Sequence, residues 1–320
     1  MEQMSAHPSL AAALAEGPVV LDGGLATELA ARGHDVSSAL WSARLLRDDP
    51  AAVVAAHAAF AAAGAQVATT ATYQATVEGF IAAGTGAAAA RRLIGGSVEL
   101  ARRGAPEAWV AGSVGPYGAF LADGSEYTGA YCVPGWAGRS GGGLTVAELR
   151  AFHRPRMQLL AEAGADVLAC ETVPAAREAE ALLAEADVLG LPVWLSLTTV
   201  VAPDGVVRTR QGEPAAEVFG MARGQACVLA VGVNCTDPGS VLPAVRAAEA
   251  AGTPVVAYPN SGERWDAAAR GWAGTPTLDA GQVRAWLDAG VRLVGGCCRV
   301  GPGTIAAVAA AALRGWGCRR

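Results

Sequence analysis

The feature that most restricts this chain is an eightfold alternation of apolar runs with alanine-rich segments of helical length. The runs are "PVVLDGG", "AQVATTATY", "AWVAGSVG", "ADVLACETV", "LPVWLSLTTV", "ACVLAVGVNC", "TPVVAYPN" and "VRLVGGCC". Between them lie segments such as "PAAVVAAHAAFAAAG" and "AREAEALLAEADVLG", apolar at helical spacing and ending at glycine. The runs are continuous rather than alternating, which suits a parallel sheet buried on both faces. Eight strand–helix units predict an α/β fold, a single-domain (β/α)8 TIM barrel. A doubly wound sheet is the alternative, but it needs fewer strands and usually a glycine-rich phosphate turn. "LDGGLATEL" lacks the GxGxxG spacing of such a turn. The expected boundaries are a leading segment over 1–17, the barrel over 18–314 and a tail over 315–320.

Composition removes several function classes. The 320 residues are 52% hydrophobic with a formal net charge of −5, so a large core is available and no basic footprint marks a nucleic-acid partner. The opening "MEQMSAHPSLAAALAEGP" has no positively charged start, and Glu16 breaks its apolar stretch. No run has the apolar length of a membrane span. A cytoplasmic, reducing location is expected. All 24 basic residues are arginine, so Schiff-base chemistry on a lysine is excluded. The four histidines include no His-x-His pair, which disfavours the histidine-rich metal hydrolases.

Seven cysteines are scattered along the chain, and "VRLVGGCCRVGPGT" sets Cys297 and Cys298 side by side. Adjacent Cα atoms stand about 3.8 Å apart, too close for an unstrained bridge between neighbours. On the barrel reading Cys235 ends the sixth strand, while Cys297 and Cys298 end the eighth. All three then meet at the rim where barrel enzymes keep their active sites. Most free cysteines are small buried hydrophobes. Three at one rim instead resemble three-quarters of a tetrahedral zinc site whose fourth position is open. A redox pair is a further reading, though Cys297–Cys298 lacks CxxC spacing. No other cysteine offers a fourth ligand: Cys170 should face away from the adjacent Glu171, Cys227 begins its strand, and Cys318 lies in the tail. Cys132 falls in a long loop, with its role open.

Three thiolates put much negative charge on zinc, making it a poor activator of water. Such a site suits a thiol substrate, held as a reactive thiolate. Alkyl transfer to that sulfur needs no protein nucleophile, which fits the absent lysine. At this point the motifs converge. "LDGGLATEL", "TTATYQAT", "GSVGPYGAFLADGSEYTGAY", "ETVPAAREAEAL", "GVNC", "YPNSGERWD" and "GGCCRVGPGTI" closely resemble the homocysteine S-methyltransferases, in family order over nearly the whole chain. The resemblance implies a zinc-dependent barrel that methylates L-homocysteine to methionine. It also implies Cys235, Cys297 and Cys298 as zinc ligands, in agreement with their spacing.

Other positions follow from the same reading. Asp22 and Glu171 are rim carboxylates placed to hold the substrate ammonium by charge-assisted hydrogen bonds. Ser261 and nearby amides are candidates for the substrate carboxylate, and Asn234 for orienting its neighbouring ligand. A sulfonium donor is a soft cation, which aromatic faces attract. Tyr73, Trp41, Tyr117 and Tyr127 are the candidate rings, Tyr73 first. The glycine-rich segment Pro116–Gly143 is expected to be a mobile cover. Val300 stands where the family often has threonine.

The donor expected is S-methylmethionine or S-adenosylmethionine. The betaine-dependent branch shares "DGG", "GVNC" and "GGCC" but carries a long C-terminal extension, whereas this sequence ends at Arg320. The lack of that extension leans toward a monomer. Another thiol or a selenol as acceptor stays open, as does a non-catalytic zinc or redox protein. Retention of both Asp22 and Glu171 argues against storage, which needs no ammonium site.

Overall fold

The computed structural model describes residues 8–139, 142–266 and 271–317. Eight strands make the central sheet: β1 (Val19–Val20), β2 (Val67–Thr69), β3 (Trp109–Val114), β4 (Val167–Val173), β5 (Val193–Leu197), β6 (Val228–Asn234), β7 (Val255–Tyr258) and β8 (Val291–Val294). They lie in the order β1-β8-β7-β6-β5-β4-β3-β2. Every pairing is parallel. A parallel bridge from Leu21 to Val67 joins the two ends, reinforced by Gln66 N–H donating to the Val20 carbonyl at 2.8 Å. The sheet therefore closes on itself, and the barrel expected from the eightfold alternation is the fold.

Each strand is followed by a helix that covers the outside, with shorter helices in some connections: α1 (Pro50–Ala62), α2 (Ala87–Gly104), α3 (Val146–Glu162), α4 (Ala176–Leu189), α5 (Ala215–Gly220), α6 (Val241–Ala248), α7 (Ala280–Asp288) and α8 (Pro302–Gly317). Their starts are written locally. Asp49 caps α1 ahead of Pro50, while Thr145 with Glu148 and Asp279 with Gln282 form capping boxes on α3 and α7. Gly190, in the left-handed region at φ 63°, ends α4.

Each barrel strand is apolar on both faces because it serves two cores. On β4, Val167 and Ala169 point into the barrel, whereas Leu168, Cys170 and Val173 pack under the helices. Cys170 does face away from Glu171, as strand alternation requires. Cys318 lies outside the described residues. The short helix Leu10–Glu16, capped by Ser9, sends Leu10 and Leu14 into the inner core with Val19, Val67 and Val167. Trp109 Nε1–H bonds the Pro8 carbonyl at 2.9 Å on the same side. The leading segment is thus a plug for the N-terminal mouth of the barrel.

The long connection after β3, expected to be a mobile cover, has structure of its own. It folds into the helix Tyr117–Leu121 and the 3₁₀ turns Ser125–Tyr127, Ala130–Cys132 and Trp136–Gly138. Tyr131 and Cys132 are buried with Leu144, Leu149 and Ala175 in a small core of their own. Tyr117 meets the Phe152 ring edge-on at 4.7 Å, so it packs here instead of lining the rim. The Arg177 guanidinium ties the carbonyls of Cys132 and Leu144 at 3.1 and 2.9 Å. Cys132 is accordingly a packed thiol, pushed up to about 12 by burial. Residues 140–141 of this segment lie outside the described ones. The second long connection, after β7, forms the hairpin Arg264–Asp266/Gly271–Ala273.

Candidate active site

The Sγ atoms of Cys235, Cys297 and Cys298 all lie within 4.8 Å of one another at the C-terminal mouth of the barrel. Cys235 and Cys297, with Cα atoms 5.6 Å apart, are paired as a disulfide, and Cys298 is free. The two neighbours in sequence do not bridge each other. With that pair reduced, three thiols converge on one point.

The glycines before Cys297 explain how the chain reaches this place. A Cβ on Gly295 would come within 2.6 Å of the Leu21 Cβ, and one on Gly296 within 2.2 Å of the Val300 side chain. Only bare backbone lets the end of β8 settle against the end of β1. There Gly296 N–H donates to the Asp22 carbonyl at 3.1 Å and Gly24 N–H to the Val300 carbonyl at 2.9 Å. Val300 is fully buried beneath the loop, and its N–H donates to the Cys297 carbonyl at 3.1 Å. Cys297 N–H bonds the Pro259 carbonyl at 2.8 Å, and Cys298 N–H bonds Asn260 Oδ1 at 3.1 Å. The loop after β7 therefore carries the loop after β8.

Two strand ends hold strained residues. Cys235 has φ 47° and Thr172, directly after Glu171, has φ 59°. A positive φ in a β-branched residue costs about 1–3 kcal/mol and persists only where neighbours over-determine it. Asn234 does so here. Its Oδ1 accepts from Thr172 N–H at 2.7 Å and Ser196 Oγ at 2.8 Å, while its Nδ2 donates to Thr172 Oγ1 at 2.7 Å. Asn234 thus ties three strand ends together beside Cys235, a larger task than orienting one ligand.

Both expected carboxylates are buried at this mouth, Asp22 at 4% exposure and Glu171 at 7%. Asp22 accepts from Thr69 N–H at 2.7 Å and Thr69 Oγ1 at 2.8 Å. Glu171 accepts from Ser113 Oγ, and the Tyr258 hydroxyl lies beside it. Tyr258 is itself held by Trp194 Nε1–H at 2.9 Å. Burial pushes Asp22 up to about 7 against its Thr69 hydrogen bonds, and the Glu171 charge adds to the rise. Burial also raises Glu171, opposed by the Ser113 and Tyr258 hydroxyls. Two desolvated carboxylates that repel each other call for a cation between them.

The remaining expected residues divide. The Tyr127 hydroxyl lies beside the Cys298 sulfur, and its ring lies under the Arg210 guanidinium, 6.0 Å from the centroid. Tyr73 is half-buried and within reach of the charges of Tyr127, Glu126 and Glu171. Ser261 is buried, but its hydroxyl donates to Glu263 Oε2 at 2.9 Å and its N–H donates to the Cys298 carbonyl at 3.0 Å. It buttresses the cysteine loop. Trp41 is 36% exposed at the start of the turn Trp41–Arg44. Among the described residues no hydrogen bond or ring contact joins it to the cysteines.

Sequence reading missed Ser113, Ser196 and Tyr258, which complete the polar layer, and Asn260. All except Asn260 sit at inward positions of their strands, two residues above apolar ones, so strand register was the available signal. Arg156 had no such signal. From α3 it donates to the Tyr73 carbonyl at 2.9 Å and stands 3.2 Å from His153 Nδ1, whose Nε2 is 2.9 Å from Glu178 Oε1.

The donor set fits a thiophilic metal. In a tetrahedral ZnS₃ site, zinc–sulfur bonds of about 2.3 Å put the sulfurs about 3.8 Å apart. Burial pushes the Cys298 thiol up to about 11, so a cation is needed for it to serve as a thiolate near neutral pH.

Comparison with known proteins agrees with this geometry. The family model described as homocysteine S-methyltransferase matches residues 19–312. The homocysteine S-methyltransferase of Escherichia coli (strain K12) is 42% identical over 311 residues, covering 91% of this chain and 94% of its own. The selenocysteine Se-methyltransferase of Brassica oleracea var. italica is 39% identical over 320 residues, covering 91% and 88%. Among solved structures, the metallated form of the Escherichia coli homocysteine methyltransferase MmuM superposes with a TM-score of 0.78 at 40% identity. It covers 92% of this chain and 96% of that one.

Proposed function

Because the chain belongs to the homocysteine S-methyltransferase family, we propose that it moves a methyl group from a sulfonium donor to the thiol of L-homocysteine, giving methionine. The donor on this reading is S-methylmethionine or S-adenosylmethionine, and Cys235, Cys297 and Cys298 hold zinc. One observation carries the reading: three converging thiols share a barrel mouth with two desolvated carboxylates. Zinc, when bound, supplies a Lewis acid that lowers the pKa of a substrate thiol.

The chain's own residues do the rest. Asp22 and Glu171 bind the homocysteine ammonium, which relieves their mutual repulsion and fixes the amino acid at one end. Ser113 and Tyr258 aim the Glu171 carboxylate, and Thr69 aims Asp22. The Tyr73 and Tyr127 rings meet the donor cation. The sulfur of homocysteine attacks the donor methyl carbon, the carbon–sulfonium bond breaks, and the donor leaves as a neutral thioether. That step removes opposite charges, so the packed segment over 116–139, by excluding water, favours it.

The similarity to a selenocysteine Se-methyltransferase supports a selenol as a second acceptor, selenium being the softer nucleophile. No helix among the described residues is long and apolar enough to cross a membrane. A cytoplasmic location, where cysteines stay reduced, suits the site.

The test is zinc content and methionine formation from homocysteine and S-methylmethionine, in wild type and Cys298→Ala. We expect about one zinc per wild-type chain, and loss of both metal and turnover in the variant. Zinc without turnover of any sulfonium would redirect the reading to betaine or to another acceptor. A reduced wild type that takes up no zinc would end it.

A further inference from the structure

We infer that Glu126 is the counter-charge for the methyl donor: its buried carboxylate binds the positive charge of the sulfonium ligand between Tyr73 and Tyr127. This inference rests on the sulfonium reading above.

Glu126 sits in the turn Ser125–Tyr127, inside the packed connection after β3. It is only 6% exposed, yet its Oε2 atom has no hydrogen-bond partner among the described residues. The turn is held tightly. A Cβ on Gly118 would fall 2.3 Å from the Glu126 nitrogen, so the helix Tyr117–Leu121 lies directly on it. Asp123 Oδ1 accepts from Ser125 N–H at 2.9 Å, which pins the turn from the other side. The turn packs against β4, which carries Glu171, and Glu126 adjoins Tyr127, whose ring lies under Arg210, so the carboxylate belongs to the same mouth as the thiols.

Two guanidiniums lie by these rings and both are engaged, one of them, Arg156, on the Tyr73 carbonyl at 2.9 Å. The Arg210 guanidinium lies over the Tyr127 ring and donates to Thr198 Oγ1 at 3.1 and 3.2 Å. A buried carboxylate without a partner is costly, and evolution of a purely structural turn would not require one. A cationic ligand would complete it. Homocysteine brings one ammonium, which Asp22 and Glu171 already claim. The donor brings further positive charge to the aromatic side, where Glu126 lies. Aromatic faces alone attract any soft cation, and a carboxylate beside them makes a neutral thioether such as the product a poor competitor.

Such a contact is strongest with the full charge of the bound donor and weakens as transfer removes that charge, so its loss appears in donor KM and does not lower kcat. The experiment uses the zinc-loaded full chain carrying Glu126→Gln and measures KM for S-methylmethionine, KM for homocysteine, kcat and zinc content. We expect donor KM to rise at least tenfold, about 1.4 kcal/mol. The other three quantities should stay within twofold of wild type. Glu126→Asp keeps the charge one methylene short and should give an intermediate donor KM; it also serves if the glutamine variant does not fold. An unchanged donor KM overturns the inference, as does an equal rise in both KM values, which a structural role would produce. A wild type that turns over no sulfonium overturns the function and this inference together, whereas an active wild type with an indifferent Glu126→Gln overturns only the inference.

Discussion

The two ends of the barrel interior are built from the same strands and do opposite things. At the N-terminal end the inward positions are Val19, Val67, Ala111, Val167, Ala169 and Trp194, closed over by Leu10 and Leu14. Two residues further along the strands the inward positions become Ser113, Glu171, Ser196, Asn234 and Tyr258. The change takes one step of the pleat. It teaches that this chain keeps stability and chemistry on separate layers, so the polar layer can hold two uncomfortable carboxylates because the apolar layer beneath it is complete.

The strongest way to break the comparison is Glu171→Gln, which keeps the shape of the polar layer and removes its charge. Turnover should fall by about a thousandfold, roughly 4 kcal/mol of transition-state stabilisation. Zinc content and melting temperature should stay near wild type. Loss of zinc along with turnover would mean that the carboxylate supports the cysteines rather than the substrate. A non-catalytic zinc protein would show no turnover to lose.

The apolar layer is tested by Leu14→Ala. This buried side chain should cost about 3 kcal/mol of folding stability on removal, read as a lower denaturant midpoint. KM and kcat of the remaining folded protein should be unchanged. A change in either would show that the plug and the site communicate.

A smaller effect sharpens the same division from outside the barrel. His57 on α1 is buried with both ring nitrogens unpartnered, and burial lowers it to about 4. The unfolded chain takes up a proton below about 6.5 while the folded protein does not. Stability from this residue is therefore present above pH 6.5 and lost as pH falls toward 4, about 2 kcal/mol by pH 5. His57→Phe should flatten that part of the stability curve and leave the pH dependence of turnover alone. A variant whose stability still falls with the wild-type slope would assign the acid sensitivity elsewhere.

How much of this was legible beforehand depends on the distance over which each feature is decided. Cys235, Cys297 and Cys298 could be read because each ends an apolar run, and strands ending at one rim of a barrel must meet. Asp22 and Glu171 were legible for the same reason. The pairing of Ser261 with Glu263, two residues on, was not legible because it forms only in the folded turn. The segment after β3 was read as an open cover because its glycines and aromatics have no periodicity. Its order comes from partners far along the chain: Tyr131 with Glu178, and Arg177 with the carbonyls of Cys132 and Leu144.

By itself the sequence determined the number of strand–helix units, the caps that start the helices and the residues at each strand's end. These depend on periodicity and on contacts within a turn or two, which order along the chain specifies. Only the tertiary structure decided that the leading helix plugs the barrel and that the glycine pair rests on β1. It alone decided that Asn234 clamps the strained Thr172 and that Glu126 is buried next to Tyr127 with its Oε2 unpartnered among the described residues. Each of those depends on groups brought together across the closed barrel, and burial, which sets the strength of every charge in the site, exists only once the barrel has closed.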